Sequence, residues 1–146
     1  MTLDQAQQLA DDPMGTWFAD DVATNIEVIS ERFGCDVLLN TSDHPFLTSD
    51  SPAVIHFPPR EPRFRMMPQG LGSPGCEITL PMSPRSALLF RHKAPGLYSF
   101  MEANREMVYE VNLRTITRAR ERIVSDRSDI SFVQEITGMM AEHASG

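Results

Sequence analysis

The chain has 146 residues, of which 41% are hydrophobic and 23% are charged, a balance typical of one soluble globular domain that we expect to span residues 1–146. Its formal net charge of −7 argues against a general nucleic-acid-binding protein. Because the N-terminus has no basic start before an apolar run, and no stretch approaches the roughly 18 to 20 apolar residues of a spanning helix, we expect a cytoplasmic protein with no membrane partner.

The cysteines and glycines limit the cofactors that the chain is expected to hold. Cys35 and Cys76 lie far apart with no second metal ligand near either, so we expect buried, reduced thiols and a reducing compartment. The sequence contains no phosphate-binding glycine pattern, no dinucleotide fingerprint and no zinc-ligand spacing. We therefore expect no cofactor and no metal of these recognised kinds.

Two main helices and a C-terminal helix are predicted from apolar residues that recur every three or four positions. The first runs from Met14 to Phe33 and should end at Gly34, a residue that suits a C-terminal cap. The second runs from Glu102 to Arg120, and a last helix begins after Ser128 and runs to about His143. The apolar stripe of the first helix consists of Phe18, Val22, Ile26, Ile29 and Phe33.

Short apolar runs between turn signals predict the strands of a sheet. These runs are 35–40, 53–57, 76–80 and 86–91, and the last two should pair as an antiparallel hairpin across a turn at 81–84. The predicted fold class is α+β, with an antiparallel sheet of about four or five short strands from residue 35 to residue 91, to which Ile123–Val124 is a candidate addition. We expect the two main helices to pack on one face of this sheet, and a C-terminal helix to follow.

The pattern Thr-Ser-Asp-x-Pro occurs twice, at 41–45 and 48–52, and we call residues 41–52 the double turn. Each copy predicts a tight turn, because Ser and Asp side chains accept hydrogen bonds from amides two residues on and the proline keeps its predecessor out of the helical region. Asn112 interrupts the apolar face of the second helix. Since a buried amide without partners costs about 1–3 kcal/mol, we expect Asn112 to hydrogen-bond the main chain of the double turn or of the neighbouring strand.

Three short motifs in this order carry a resemblance to a known family: Thr48–Pro52, Leu80-Pro81-Met82-Ser83-Pro84 and Val111-Asn112-Leu113. With them the chain resembles the bacterial family catalogued as domain of unknown function 4238, in its C-terminal portion only, over roughly residues 17–125. Met82 stands where members carry a leucine-type residue, and the family's N-terminal opening, a His and Pro before a Tyr-Leu and Phe pattern, is absent. The resemblance implies a consistent fold, a minimal or truncated member and no chemistry, since the family has no established activity.

The acidic and histidine side chains near the double turn are the candidates for a catalytic site. Two carboxylates and a histidine from adjacent turns can converge on one divalent ion, with Glu77 as a further ligand. Ser49 has an acid and a histidine close in sequence but lacks the glycines of a nucleophile elbow. The commoner role of Asp in such turns is structural. The catalytic candidates are Asp43, His44, Asp50 and His56.

Two further segments are candidates for binding. The stretch from Pro58 to Gly75 predicts a long loop, and its basic side chains can contact a small anionic ligand or a partner protein, or can simply be solvated. Met139 and Met140 on the last helix would support a homo-oligomer, such as a homodimer, if they face away from the core. The predicted binding residues are Arg60, Arg63, Arg65 and Asn112.

These observations leave three interpretations of the function. The first is a non-enzymatic binding or interaction module with an unknown partner. The second is a metal-assisted hydrolase or nuclease-like enzyme that uses the turns at Asp43 and Asp50. The third is a truncated copy with no retained activity. The sequence does not decide whether the protein is an enzyme.

Overall fold

The computed structural model describes residues 24–59, 69–128 and 131–144, with side chains described as far as residue 138. Helix α1 covers 24–32 of the described residues. The elements that follow, in chain order, are β1 (Phe33–Asn40), β2 (Thr48–Ser49), β3 (Val54–His56), β4 (Glu77–Ser83), β5 (Ser86–His92), β6 (Tyr98–Ala103), α2 (Arg105–Arg118), β7 (Ile123–Val124) and α3 (Ser131–Ala144). Within these ranges, no helix is both long and apolar enough to cross a membrane.

Five of the strands form one sheet in the order β3-β4-β5-β1-β6. Every neighbouring pair is antiparallel except β1 and β6, which run parallel with Cys35 opposite Tyr98. β4 and β5 form the predicted hairpin, and the α+β class with a mostly antiparallel sheet is confirmed. β7 is a strand as predicted, but it pairs with β2 in a separate two-stranded sheet.

The two faces of the large sheet are covered by different helices. On one face, Leu38 of β1 and Leu89 of β5 pack against Val108 and Val111 of α2. On the other face, α1 contributes Val28 and Ile29 to a cluster that contains Phe33, Cys76, Ile78 and Phe90. Successive strand residues point to opposite faces, so Phe90 lies on the face opposite to Leu89. The expectation that both main helices pack on one face is therefore wrong.

The junction of α1 and β1 also differs from the prediction. Gly34 does not cap the helix, because Phe33 and Gly34 already belong to β1 and the chain passes directly from helix to strand. A Cβ on Gly34 would lie 2.9 Å from the carbonyl oxygen of Leu97, so the glycine permits close backbone packing. Ile26 of the predicted stripe is 62% exposed, whereas Ile29 packs against the sheet. Phe18 and Val22 lie outside the described residues.

Two boundaries differ from the prediction around the second helix and the hairpin. α2 begins at Arg105, with Asn104 as its N-cap accepting a hydrogen bond from the Met107 amide at 3.0 Å. The residues before it form β6, where Tyr98 and Phe100 are 73% and 67% exposed. β4 continues through the predicted turn to Ser83, with an irregularity between Pro81 and Ser83. A proline at such an irregularity removes no regular ladder hydrogen bond.

Helix α3 packs on α2 and on the double turn. Phe132 and Ile136 of α3 are buried in one cluster with Leu47, and Tyr109 and Leu113 of α2 pack against it. Phe46, the neighbour of Leu47, is buried in the cluster between α2 and the sheet. Phe46 and Leu47 thus anchor the middle of the double turn, since their side chains enter different clusters, and strand β2 follows directly after them. Met139 and Met140 lie beyond the described side chains.

Candidate functional site

Asn112 of α2 holds the middle of the double turn. Its side chain is 1% exposed, and its Oδ1 accepts a hydrogen bond from the Leu47 amide at 2.8 Å. Its Nδ2 donates to the carbonyl oxygen of Pro45 at 2.9 Å. The expectation that Asn112 bonds the main chain of the double turn is confirmed. The side chain of Asn112 thus pairs with the buried amide of Leu47 and the buried carbonyl of Pro45, which lie in a segment without regular secondary structure.

The two copies of the repeated pattern are built differently. In the first copy, Asn40 makes the turn, since its Oδ1 accepts from the Ser42 amide at 2.8 Å and its Nδ2 donates to the His44 carbonyl oxygen at 2.6 Å. In the second copy, the Ser49 hydroxyl accepts from the Ser51 amide at 3.1 Å, as the sequence predicts. Similar sequences therefore give similar bends through different side chains.

Asp50 joins the second turn to the chain that follows α2. Its Oδ1 accepts a hydrogen bond from the Arg120 amide at 3.0 Å, and its Oδ2 accepts from the Glu121 amide at 2.9 Å. The hydrogen bond from the Arg120 amide is the main cause that lowers the pKa of Asp50, and the Glu121 amide adds to it. Both carboxylate oxygens are engaged, so Asp50 serves as a link between two segments distant in sequence.

We expect Asp50→Asn to lower the midpoint of thermal unfolding by the same amount with and without divalent metal. An asparagine oxygen can accept only one of the two amides, and its NH2 group would face the other. Because the pKa of Asp50 is lowered in the folded state, its stabilisation is present above the ordinary carboxyl pKa and is lost as pH falls through the folded value. The measurement is thermal unfolding at neutral pH with Mg²⁺, Mn²⁺, Ca²⁺, Zn²⁺ or no metal.

Asp43→Asn is the matched control, because the Asp43 side chain is 79% exposed and its midpoint should stay that of the wild type. A metal that raises the wild-type midpoint, with the rise lost in Asp50→Asn, would contradict a purely structural Asp50. A bound ligand at about 100 times its dissociation constant adds roughly 2.7 kcal/mol, which such a panel detects readily.

The other catalytic candidates lie in two separate places. His44 Nε2 lies 3.7 Å from Asp43 Oδ1 at the first turn. His56 lies on β3 opposite Glu77 of β4, and burial, aided by the positive charge of Arg114, lowers the pKa of this histidine. In the part of the chain that the structure describes, no group of three His, Cys, Asp or Glu side chains is arranged to hold a metal ion. Arg60, Arg63 and Arg65 lie outside the described residues.

A cavity of about 430 Å³ opens beneath the double turn, between α2 and α3. Its walls are mainly aromatic and apolar, and the rings of His44 and Phe132 meet at 57° with their centroids 5.6 Å apart. Of the predicted site residues that the structure describes, this cavity brings together His44 and Asn112. The lining residues are His44, Arg105, Glu106, Tyr109, Asn112, Phe132, Glu135 and Ile136.

The charged side chains of the cavity lie at the start of α2 and on α3. Arg105 Nη2 lies 3.9 Å from Glu135 Oε2, and these side chains are 63% and 49% exposed, so the pair is weak. Glu106, in the first turn of α2, forms no ion pair with another described residue. The apolar spacing of Phe132 and Ile136 predicts the last helix. It does not predict that this helix, α3, closes a cavity beneath the double turn.

The family model described as "Protein of unknown function (DUF4238)" matches residues 4–129. The chain belongs to this family. No curated protein and no solved structure matches it significantly. Two of the motifs that carry the DUF4238 resemblance are now explained by contacts, since the second Thr-Ser-Asp-x-Pro copy supplies Asp50 and the motif in α2 supplies Asn112.

The DUF4238 chain also contains a buried carboxylate that the sequence did not single out. Asp36 of β1 is fully buried, and it contacts Lys93 Nζ and the Ser99 hydroxyl, while Arg91 Nε lies 2.8 Å from its Oδ2. Burial raises the pKa of Asp36, but the hydrogen bonds from Lys93 and Ser99 and the nearby positive charges outweigh burial and lower it. Asp36 is therefore a charged group fixed inside the sheet by partners from β5, β6 and their connection.

Both cysteines of this DUF4238 chain are free thiols. Cys76 is fully buried, and Cys35 is partly buried on β1. Burial raises the pKa of each thiol, and the negative charge of the adjacent carboxylate, Asp36 or Glu77, adds to the effect. Thiols with raised pKa values are poor nucleophiles, so neither cysteine has the setting of a reactive residue.

Proposed function

We propose that this DUF4238 chain is a non-enzymatic binding module whose ligand occupies the cavity beneath the double turn. The observation that carries the proposal is the cavity itself. Its volume of about 430 Å³ lies within the roughly 300–1,000 Å³ of small-molecule sites. Such sites combine mostly apolar walls with a few polar groups, and here Phe132 and Ile136 supply the walls while Arg105, Glu106 and Glu135 supply the polar groups.

The geometry of the double turn favours binding over hydrolysis. A metal-assisted hydrolase needs side chains that converge on one ion, and no group of three His, Cys, Asp or Glu side chains in the described part of the chain is so arranged. Both oxygens of Asp50 accept amide hydrogen bonds, and both polar atoms of Asn112 bond the main chain. The metal-assisted hydrolase is the second candidate, supported by the sequence pattern alone, and the metal panel on Asp50→Asn tests it.

The proposed binding site can be blocked from its exposed rim. Glu135→Trp places an indole at the cavity mouth, and we expect it to weaken the binding of small aromatic fragments at least tenfold. The fragments are selected by the shifts that they cause in the amide NMR spectrum of the wild type, with His44, Tyr109 and Phe132 as the expected reporters. Because Glu135 is half-exposed, the substitution should leave the fold intact.

Gln134→Trp provides the matched control, since Gln134 is an exposed neighbour on the same helix that does not line the cavity. This variant should bind the fragments as the wild type does. If fragments bind Glu135→Trp with undiminished affinity, or if no fragment shifts the cavity residues of the wild type, the proposed site is wrong.

Several finer features of the function are also proposals. A bacterial, reducing cytoplasm is supported by the resemblance to a bacterial family and by the two free, partly or fully buried thiols. A homodimer formed through the C-terminal helix is supported by Met139 and Met140 in the sequence. Contact of the loop predicted from Pro58 to Gly75 with an anionic ligand or a partner protein is supported by the spacing of Arg60, Arg63 and Arg65.

A further inference from the structure

The charge and the aromatic walls of the cavity together indicate the chemical class of its ligand. We infer that the cavity binds an organic cation with a planar, apolar body, such as an aromatic amine. This inference rests on the proposed function, because it specifies the ligand of the same site. It depends on three observations: the aromatic corner, the excess of carboxylates and the position of Glu106.

The aromatic corner is formed by three rings from three segments. His44 comes from the double turn, Tyr109 from α2 and Phe132 from α3, and all three line the cavity. The His44 and Phe132 rings are tilted by 57°, so they present two walls of a corner and do not stack on each other. A flat apolar group fits such a corner, and the electron-rich faces of Tyr and Phe attract a cation.

The charged lining of the cavity favours a cation over an anion. Glu106 and Glu135 carry two carboxylates, and Arg105 is the single guanidinium among the described lining residues. Arg105 lies 3.9 Å from Glu135, so its charge is partly balanced within the protein. Glu106 has no such counter-charge among the described residues, which leaves one negative charge beside the aromatic rings.

An anionic ligand would meet less favourable contacts. Bound at Arg105, it would compete with Glu135 for the guanidinium and would lie in a cavity lined by two carboxylates, a placement that like-charge repulsion disfavours. A cation can instead bind at Glu106 with the existing pair intact. The net charge of −7 on the whole chain adds a long-range attraction for cations.

Three indole compounds of matched size and different charge test the inference. Tryptamine is a cation at neutral pH, tryptophol is neutral and indole-3-acetate is an anion. Dissociation constants from NMR titration of the wild-type chain should show tryptamine bound about tenfold more tightly than tryptophol, with indole-3-acetate the weakest. One favourable ion contact together with a cation–π contact gives a difference of this order.

A pair of charge-neutralising variants then locates the effect. Glu106→Gln should remove most of the preference for tryptamine over tryptophol, because glutamine has the size of glutamate but carries no charge. Glu102→Gln is the matched control, because Glu102 is exposed on β6 and does not line the cavity, and it should retain the preference. Both positions are exposed, so neither variant should alter the fold.

Each contrary result has a separate meaning. If tryptophol binds the wild type as tightly as tryptamine, or if indole-3-acetate binds most tightly, the cation inference is overturned while the proposed binding site stands. If none of the three shifts the cavity residues, both the inference and the proposed function are wrong. A preference for tryptamine that persists in Glu106→Gln would also overturn the inference, since the cation would then bind elsewhere.

Discussion

Asn112→Leu should lower the free energy of unfolding by about 2–5 kcal/mol, one of the two largest effects that we expect of a single substitution. Leucine has nearly the shape of asparagine but leaves the Leu47 amide and the Pro45 carbonyl without partners. Both residues are buried, so water cannot replace the lost hydrogen bonds. Each unsatisfied buried group costs about 1–3 kcal/mol, and the added apolar contact of leucine offsets only part of the sum. Denaturant unfolding followed by circular dichroism measures the change.

Thr117→Leu is a suitable control for Asn112→Leu. Thr117 is exposed on the same helix, and its hydroxyl bonds the Leu113 carbonyl, which already belongs to the helix. This variant should change the free energy of unfolding by less than about 0.5 kcal/mol. A loss of similar size in both variants would show that the helix, and not the contact with the double turn, is sensitive to leucine. A negligible loss in Asn112→Leu would mean that the double turn is held by other contacts.

Asp36→Asn should lower the free energy of unfolding by about 1–3 kcal/mol at neutral pH. Removing one partner of a fully buried ion pair costs about 3–5 kcal/mol. The expected loss is smaller here because Arg91 and Lys93 are 42% and 23% exposed, so water can solvate their charges when the carboxylate is absent. Asparagine also keeps an oxygen that can accept a hydrogen bond from Ser99. The measurement is denaturant unfolding of the wild type and the variant across a range of pH.

The pH dependence identifies the charge of Asp36 as the cause. The pKa of Asp36 is lowered in the folded state from its ordinary value of 3.8, so the charge stabilises the fold fully above that value. This stabilisation is lost as pH falls below 3.8 and through the folded pKa, where the neutral acid resembles asparagine. The difference between wild type and Asp36→Asn should therefore be largest at neutral pH and shrink in acid. Asp126→Asn is the control at an exposed position, and it should change the free energy of unfolding at neutral pH by less than about 0.5 kcal/mol. A gap that stays constant into acid would mean that asparagine disturbs packing at Asp36 and that the charge is not the cause.

Those parts of the fold that depend on local pattern were predictable from the sequence. Short apolar runs between turn signals located β1, β3, β4 and β5, and the hairpin followed from the turn between the last two. The hydrogen bonds from Asn112 to the main chain were also predictable, because a polar amide on an apolar helix face must find partners, and the double turn offered unsatisfied main-chain groups. Neighbours in sequence determine the strands, whereas the contact of Asn112 follows from the cost of burying an unpaired amide.

The parts that were not predicted depend on contacts between distant residues. β6 was not recognised because Met101 also fits the helical spacing of α2, and because its partner strand β1 lies far back in the sequence. Asp36 was not singled out, because its partners Lys93 and Ser99 lie far along the chain. The cavity could not be foreseen because α3 closes it, and no local pattern states where a C-terminal helix will pack.

The position of β1 has a consequence for the order in which the protein folds. β1 lies early in the sequence, whereas the strands on either side of it, β5 and β6, come much later. Phe33 of β1 is opposite His92 of β5, and Asp36 is opposite Ser99 of β6. During synthesis from the N-terminus, β1 must stay unpaired until both later strands have left the ribosome. Its apolar residues and the carboxylate of Asp36 are exposed for that whole interval, and closing so long a loop makes folding slow compared with a helical protein of equal length.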